Sequence, residues 1–422
     1  MIEKLNKNFA LKDSGYSNYE DTTELPRHRW YYYKEGFSPN LVEKAIEVVG
    51  VTKKDIIIDP FNGSGTTTLT ASLNNIFSVG IEVNPFTAFL SEAKLKNGDK
   101  KELDKSVGKI LKSINKGGIS PLLKFSTFSK TKDADKWLFN NPILNSFESG
   151  WQTTNNISSY SARKLTRLAL ITSAMQNCNA TRDGKCLRYR EGWEDNIFNK
   201  KSFTESFELN MEMITSDILQ KTITQKANII QGDCRKILKS KLSKPFKLCI
   251  TSPPYLNTFD YTDIYRPELY LGKFIEGSKP LYDLRLTTVR SHVQAKWEKP
   301  TQTDFGLLYQ HAMDHVNANT DKLMHKDIPL MIQAYFEDML NILKLLKAKA
   351  AKDGQLWLVV SNSAYAGLEV PVDLIIGDLA SKAGWFLKEI GVLRYVKKRK
   401  TKHSPKVNEL RESVIILSNS KF

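Results

Sequence analysis

Cysteine is scarce in this chain and long apolar runs are missing. Its 422 residues include four cysteines, Cys178, Cys186, Cys234 and Cys249, and none form a CxxC pair. That spacing offers neither a disulfide framework nor a zinc knuckle. No uninterrupted apolar stretch approaches the ~20 residues of a membrane span, and the first residues lack the apolar centre of a secretory signal. His311 and His315 lie four apart without HExxH or a third ligand nearby, so no metal site is expected. GxxxxGK[ST] and GxGxxG are both absent, which excludes a P-loop and a dinucleotide fingerprint. Acidic residues run short: 46 Asp+Glu against 62 Lys+Arg leave a net charge of +16 and a pI near 9.4. The chain reads as soluble, reduced and cytoplasmic (nucleoid-associated in a bacterial host). Its charge favours a polyanionic partner, nucleic acid above all.

What is present is an alternation of strands and helices. Residues 1–25 are polar and read as loosely held. After the aromatic cluster 30–33, the segment GFSP (residues 36–39) suits a helix start, with Ser38 as cap and Pro39 at the first helical position. Leu41, Val42, Ala45, Ile46 and Val49 then share one helical face. A strand at 56–58, a glycine loop, a helix at 66–73 and a strand at 78–82 form a β-α-β unit. Residues 96–226 are rich in Lys, Ser and Asn and break the rhythm as a large insertion, with a helix over 161–175. The alternation resumes with a strand at 227–230, a helix at 234–242 and the strand that ends at residue 251. A second polar region covers 277–335. A helix from about 333 to 349, a strand at 355–360, a helix near 371–383 and strands at 385–395 and 413–417 follow. Such alternation predicts an α/β fold with a mostly parallel sheet and helices on both faces.

Two motifs carry chemistry. DPFNGSGTT (59–67) follows a strand and opens a helix, where glycines let backbone approach a ligand at the carboxyl edge of the sheet. Glu82 ends the next strand, about 20 residues on, where an acid meets ribose hydroxyls. Asp233 ends the following strand, where a carboxylate can accept from an adenine amino group. Glycine turns and acids at strand ends each have an ordinary structural reading as well, and it is their order that describes an adenosyl ligand. The second motif, TSPPY (251–255), ends the next strand. Its proline pair fixes two φ angles and carries no N–H. The hydroxyl of Ser252 and a backbone carbonyl there can accept from an exocyclic amino group while the Tyr255 ring stacks on the base.

These motifs resemble those of the amino-methylating DNA methyltransferases, which use S-adenosylmethionine. FNGSG (61–65) is similar to the family's cofactor loop, GFSP (36–39) to its N-terminal cofactor segment and TSPPY to its catalytic tetrad. Further stretches at 182–189, 255–262, 360–365 and 411–413 also look familial. The resemblance implies a Rossmann-like class I methyltransferase fold: a seven-stranded, mostly parallel sheet with a C-terminal antiparallel strand and largely helical insertions. It implies Ser252, Pro253, Pro254 and Tyr255 as catalytic. It assigns Phe37, Asp59, Phe61, Asn62, Gly63, Gly65, Thr66, Thr67, Glu82, Asn84, Asp233 and Cys234 to the cofactor. A serine at the first tetrad position is typical of N4-cytosine enzymes, and Asp or Asn of N6-adenine enzymes, so N4 of a flipped-out cytosine in double-stranded DNA is the implied target. N6-adenine and RNA amino-group methylation are the alternatives, with a non-catalytic nucleic-acid-binding protein behind them. Attack at cytosine C5 would need a cysteine beside a proline, a setting that Cys234 and Cys249 lack.

The chain departs from tidy family order. The cofactor motifs precede TSPPY, and a large insertion separates the second and third strands. The division expected is 1–95, 227–276 and 336–422 for the catalytic domain, with 96–226 as candidate DNA-recognition region and 277–335 as a second DNA contact. Arg182, Lys185, Arg188, Tyr189, Arg190 and Trp193 in the first, and Arg285, Arg290, His292 and Lys296 in the second, are candidates for phosphate or base contacts. The basic run 397–402 reads as a solvated loop. As a restriction-modification member the chain would work beside a cognate restriction endonuclease.

Overall fold

The computed structural model describes residues 2–9, 16, 19–132, 135–183, 186–195, 197–240, 244–397 and 407–421. The strands among them, in chain order, are β1 (Leu5–Asn6), β2 (Ile56–Asp59), β3 (Phe77–Glu82), β4 (Ala180–Asp183), β5 (Cys186–Tyr189), β6 (Asn228–Gln231), β7 (Phe246–Thr251), β8 (Ala350–Ser361), β9 (Ser363–Tyr365), β10 (Leu368–Val370), β11 (Phe386–Lys397) and β12 (Glu409–Ser418). The central sheet runs β1-β11-β12-β8-β7-β2-β3-β6. Neighbours are parallel throughout except where β12 meets β8 and β11. The expected seven-stranded sheet is there, with its one reversed strand.

An eighth strand corrects the reading of the first residues as loose. β1 pairs with β11, Leu5 opposite Ile390, and the Phe9 ring packs against those of Tyr16 and Trp357. Leu5, Phe9 and Tyr16 are scattered among polar residues at neither helical nor strand period, so no pattern announced them.

Interior parallel strands are covered on both faces and therefore read as unbroken apolar runs, as Ile57 and Ile58 of β2 do at zero exposure. One face is covered by the helix Pro39–Val49, which contributes Leu41, Val42 and Ala45 to a shared apolar cluster. Its cap forms as expected: Ser38 Oγ accepts from Asn40 N at 3.0 Å, and Gly50 at φ 66° ends the helix. Such a cap contributes about 1 kcal/mol. The opposite face takes the helices Cys234–Ser240, Ile328–Lys347 and Val372–Lys382.

Between β3 and β6 the chain builds helices Lys100–Lys116, Asn141–Thr154, Tyr160–Gln176 and Lys200–Gln220 and the hairpin β4–β5. Their apolar faces form one cluster with Trp30 and Tyr31, with Phe86 and Leu90 of helix Pro85–Lys94, and with Leu269 and Leu271 of helix Arg266–Leu271. A buried carboxylate fastens this body to the segment that precedes helix Pro39–Val49. Asp217 accepts from Arg27 N at 2.8 Å, Trp30 Nε1 at 2.9 Å and the Arg29 guanidinium at 2.6 and 3.2 Å. Removing one partner of a buried pair strands the other groups, which typically costs about 3–5 kcal/mol. Asp217→Ala should lower stability by about that amount, read as a shift in the urea midpoint.

Candidate active site

A cavity of about 340 Å³ opens where β2, β3, β6 and β7 end, the edge of an α/β sheet at which ligands bind. Its first wall is the loop after β2. Asp59 Oδ1 accepts from Phe61 N at 3.0 Å and from Thr251 Oγ1 at 2.5 Å. Glu82 braces the same loop, Oε2 accepting from Gly63 N at 2.7 Å and Oε1 from Asn84 N at 2.8 Å. Gly63 sits at φ 48° and Gly65 at φ 87°, the left-handed region that glycine occupies without strain.

Of the residues assigned to the cofactor, Phe37, Asp59, Phe61, Asn62, Gly63, Thr66, Glu82, Asn84, Asp233 and Cys234 line this cavity. Gly65 and Thr67 stand behind it. A Cβ on Gly65 would lie 2.8 Å from Ser91 Cβ, and Thr67 Oγ1 donates to the Ile250 carbonyl at 3.2 Å, so both serve the packing of the helix that the loop opens. Gly80 escaped the sequence reading. The Asn62 side chain lies where its Cβ would be, at 2.5 Å from Asn62 Cγ, and glycine inside a strand was the available signal for such a close approach.

The acids are buried without a cationic side chain bonded to Asp59 or Glu82. Burial pushes the Asp59 carboxyl up to about 6 and raises Glu82 as well, while Asn62 Nδ2 is buried with no partner among the described residues. Buried acceptors and an orphan donor suit a polar ligand that carries hydroxyls and positive charge. Asp233 is more committed than expected: Arg235 binds it through Nε and Nη2 at 3.0–3.2 Å. Arg235 also reaches Asp338 at 2.9 Å and the carbonyls of Thr287 and Thr288 at 3.1 Å.

The Asp59 shift has a signed consequence. A folded-state value above the unfolded 3.8 means that the native chain holds this proton more tightly. Its stabilising contribution is complete below pH 4 and disappears as pH rises through about 6. Asp59→Asn should remove that dependence and make the ligand-free protein more stable than wild type at pH 8, by up to about 3 kcal/mol. Urea unfolding of both proteins from pH 4 to 8 measures the difference.

The second wall is the loop after β7. Ser252, Pro253, Pro254 and Tyr255 all line the cavity. The loop is held from far away in sequence: the Leu256 carbonyl accepts from Tyr365 Oη at 3.0 Å and from Ser363 Oγ. Tyr255 Oη donates to Glu412 Oε1 at 2.7 Å, and Glu412 is gripped in turn by Arg394. Burial and the Glu412 charge raise the Tyr255 phenol well above its ordinary range. Phe259 and Tyr261 line the cavity as an edge-to-face pair, 4.5 Å between centroids. The familial look of residues 360–365 and 411–413 carried no roles at sequence level. Ser363 and Tyr365 prove to brace the loop, while Arg411 and Ser413 both bind Asp373, the arginine at 2.9 and 3.0 Å.

Several expected DNA contacts are otherwise engaged. The Arg182 guanidinium pairs with buried Glu268 and stands over the Tyr265 ring, 4.3 Å from its centroid. Arg290 binds Glu337 at 2.7 Å and Asp338 at 2.8 Å, Arg285 binds Asp260 at 2.6 Å, and His292 is buried. Each arginine is paired with a carboxylate that folding brings to it. Arg188 is exposed, paired at 2.6 Å with Asp183. Tyr189 packs against Trp193, and Arg190 donates to the Cys178 carbonyl at 2.9 Å. Lys185 and residues 398–402 of the basic run lie outside the described residues. The hairpin itself stands beside the cavity mouth, where Lys34 donates to the Arg182 carbonyl at 2.8 Å. Among the described residues no cluster of three or more His, Cys, Asp or Glu is placed to hold a metal ion. No helix among them is long and apolar enough to cross a membrane.

The known proteins that the chain resembles over most of its length are methyltransferases. A family model described as DNA methylase, for N6 and N4 methylation, matches residues 3–92. Over 94% of its length the chain is 28% identical to the type II methyltransferase M.BsoBI of Geobacillus stearothermophilus, covering 87% of that protein. It is 25% identical over 89% of its length to the type II methyltransferase M.AvaI of Nostoc sp., covering 82% of it. With the type II methyltransferase M.MvaI of Kocuria varians it shares 22% identity over 90% of its length and 87% of the relative's.

Proposed function

We propose that this DNA methyltransferase modifies the exocyclic N4 of a cytosine flipped out of double-stranded DNA, at a defined site and as part of a restriction-modification system. The observation that carries this reading is the shared cavity: the Ser252 hydroxyl opens onto the same space as the loop of Asp59, Gly63 and Glu82.

S-adenosylmethionine supplies a methyl group made electrophilic by the sulfonium. Glu82 would hold its ribose hydroxyls and Asp59 with the glycine loop its remainder, while Asp233, already bound by Arg235, would meet its adenine amino group. The Asp59 and Glu82 carboxylates, buried without cationic partners, suit a positively charged guest. Cytosine N4 is a poor nucleophile because its lone pair is conjugated with the ring. Acceptance of its protons by Ser252 Oγ and the Pro253 carbonyl favours a pyramidal nitrogen, and the remaining requirement is position in a dry pocket. Reaching that pocket requires base flipping, with Tyr255 as the stacking platform. Catalysis belongs to residues 1–95, 227–276 and 336–422. Recognition belongs to 96–226, which carries the hairpin with exposed Arg188, with support from 277–335.

The test is methylation of unmodified genomic DNA with tritiated S-adenosylmethionine, followed by digestion to nucleosides. N4-methylcytosine is expected. Label recovered in N6-methyladenine would overturn the base assignment, and absence of label in any nucleoside would overturn the activity.

A further inference from the structure

Two hydroxyls and a carboxylate stand in a row leading away from the catalytic loop. Ser252 Oγ donates to Tyr255 Oη at 3.4 Å, Tyr255 Oη donates to Glu412 Oε1 at 2.7 Å, and Arg394 holds the other Glu412 oxygen. All four residues line the cavity. Glu412 is 4% exposed, whereas the Arg394 side chain is 43% exposed. The row starts in the pocket and ends beside solvent.

Transfer to an amino group leaves a proton to dispose of. The target nitrogen gains a bond to carbon as the carbon–sulfur bond breaks, its electron pair staying on sulfur, and the nitrogen then carries one hydrogen too many. A hydroxyl cannot keep a second proton near neutral pH, so Ser252 can take this one only by passing on its own. The atom that accepts from Ser252 is Tyr255 Oη, and the atom that accepts from Tyr255 is Glu412 Oε1. Glu412 is the first group in the row basic enough to keep a proton.

We propose that Ser252, Tyr255 and Glu412 form a proton wire that carries the proton released by the target amino group to the Glu412 carboxylate. One N–H bond breaks and a Ser252 O–H bond forms. The former Ser252 proton moves to Tyr255 Oη, and the former Tyr255 proton to Glu412 Oε1. The products are a neutral methylated amine, two intact hydroxyls and a neutral carboxyl group, which returns its proton to solvent past Arg394. Glu412 acts through Tyr255 and is a positioning residue. The inference rests on the amino-group reading above and holds for either base.

Glu412→Gln keeps the shape of the row but cannot accept the proton, and Tyr255→Phe keeps the stacking ring but interrupts the row. Each should lower the single-turnover rate of methyl transfer by about 100-fold. Calorimetric affinities for S-adenosylmethionine and DNA should stay within about twofold, and thermal midpoints close to wild type. Wild type should show a solvent deuterium isotope effect whose proton inventory curves, because several protons move, and Glu412→Gln should lose that curvature. In the ligand-free protein, the difference titration against Tyr255→Phe should show the Tyr255 phenol ionising at lower pH once Glu412 is Gln. Wild-type turnover in Tyr255→Phe would overturn the wire. So would an unchanged isotope effect or an unchanged phenol titration in Glu412→Gln, since Glu412 would then be a brace alone. Failure of the amino-group reading is separate: wild type would then place no label on any base nitrogen.

Discussion

Ser252→Ala is expected to cut the single-turnover rate of methyl transfer by about 10³-fold, the order seen when one preorganised polar contact to a reacting group is deleted. The substitution removes one hydroxyl from a loop whose shape is set elsewhere. Pro253 and Pro254 keep their φ angles, the Leu256 carbonyl stays bonded to Ser363 and Tyr365, and Tyr255 stays bonded to Glu412. In the proposed mechanism, what disappears is the acceptor that draws the target nitrogen out of conjugation. Affinity for S-adenosylmethionine should remain within about twofold, because the loop of Asp59 and Glu82 is untouched. Rapid quench with the tritiated donor gives the rate and calorimetry gives the affinity. Wild-type turnover in Ser252→Ala would end the mechanism.

Gly63→Val should fail in the opposite way. The backbone there is at φ 48°, where a β-branched residue is a strained outlier. Its Cβ would stand 3.2 Å from Tyr33 Oη and 3.3 Å from Tyr33 Cε1, on the cavity wall. The loop must then shift, and with it the N–H that Glu82 receives at 2.7 Å. Strain of this kind costs about 1–3 kcal/mol. With the added bulk in the pocket, affinity for S-adenosylmethionine should fall at least 100-fold by calorimetry, about 3 kcal/mol. The bonds that hold the catalytic loop, from Ser363, Tyr365 and Glu412, are untouched. The two variants together separate holding the donor from activating the acceptor.

Much of the sheet could be read before any coordinates because its interior strands are runs of Ile, Leu and Val ended by turn chemistry. The run 56–58, the loop 59–65 and the helix Thr66–Leu73 lie where expected. Of the site, the two walls were legible because each is a contiguous motif. The braces were not. Glu412, Arg394, Ser363 and Tyr365 act one residue at a time, more than a hundred positions from the loop they steady, and a single residue makes no pattern. Distance in sequence also hid the partners of the cations. Arg182 and Arg290 stand in basic surroundings that suggest phosphate contacts, yet Glu268 and Asp338 neutralise them from 86 and 48 positions away. The hairpin β4–β5 was hidden for a related reason: two four-residue strands are too short for a period to show.

The far-flung braces also set a timetable for biosynthesis. Tyr255 and the carboxylate that holds it are 157 residues apart, which at ~5–20 residues per second is a gap of roughly 8–30 s on the ribosome. Through that interval the loop after β2 and the tetrad have both been made, and Ser363 and Tyr365 arrive to hold the Leu256 carbonyl, but Tyr255 Oη still lacks its carboxylate. A nascent chain can therefore assemble part of its pocket early, and the pocket is complete only when β12 closes the sheet.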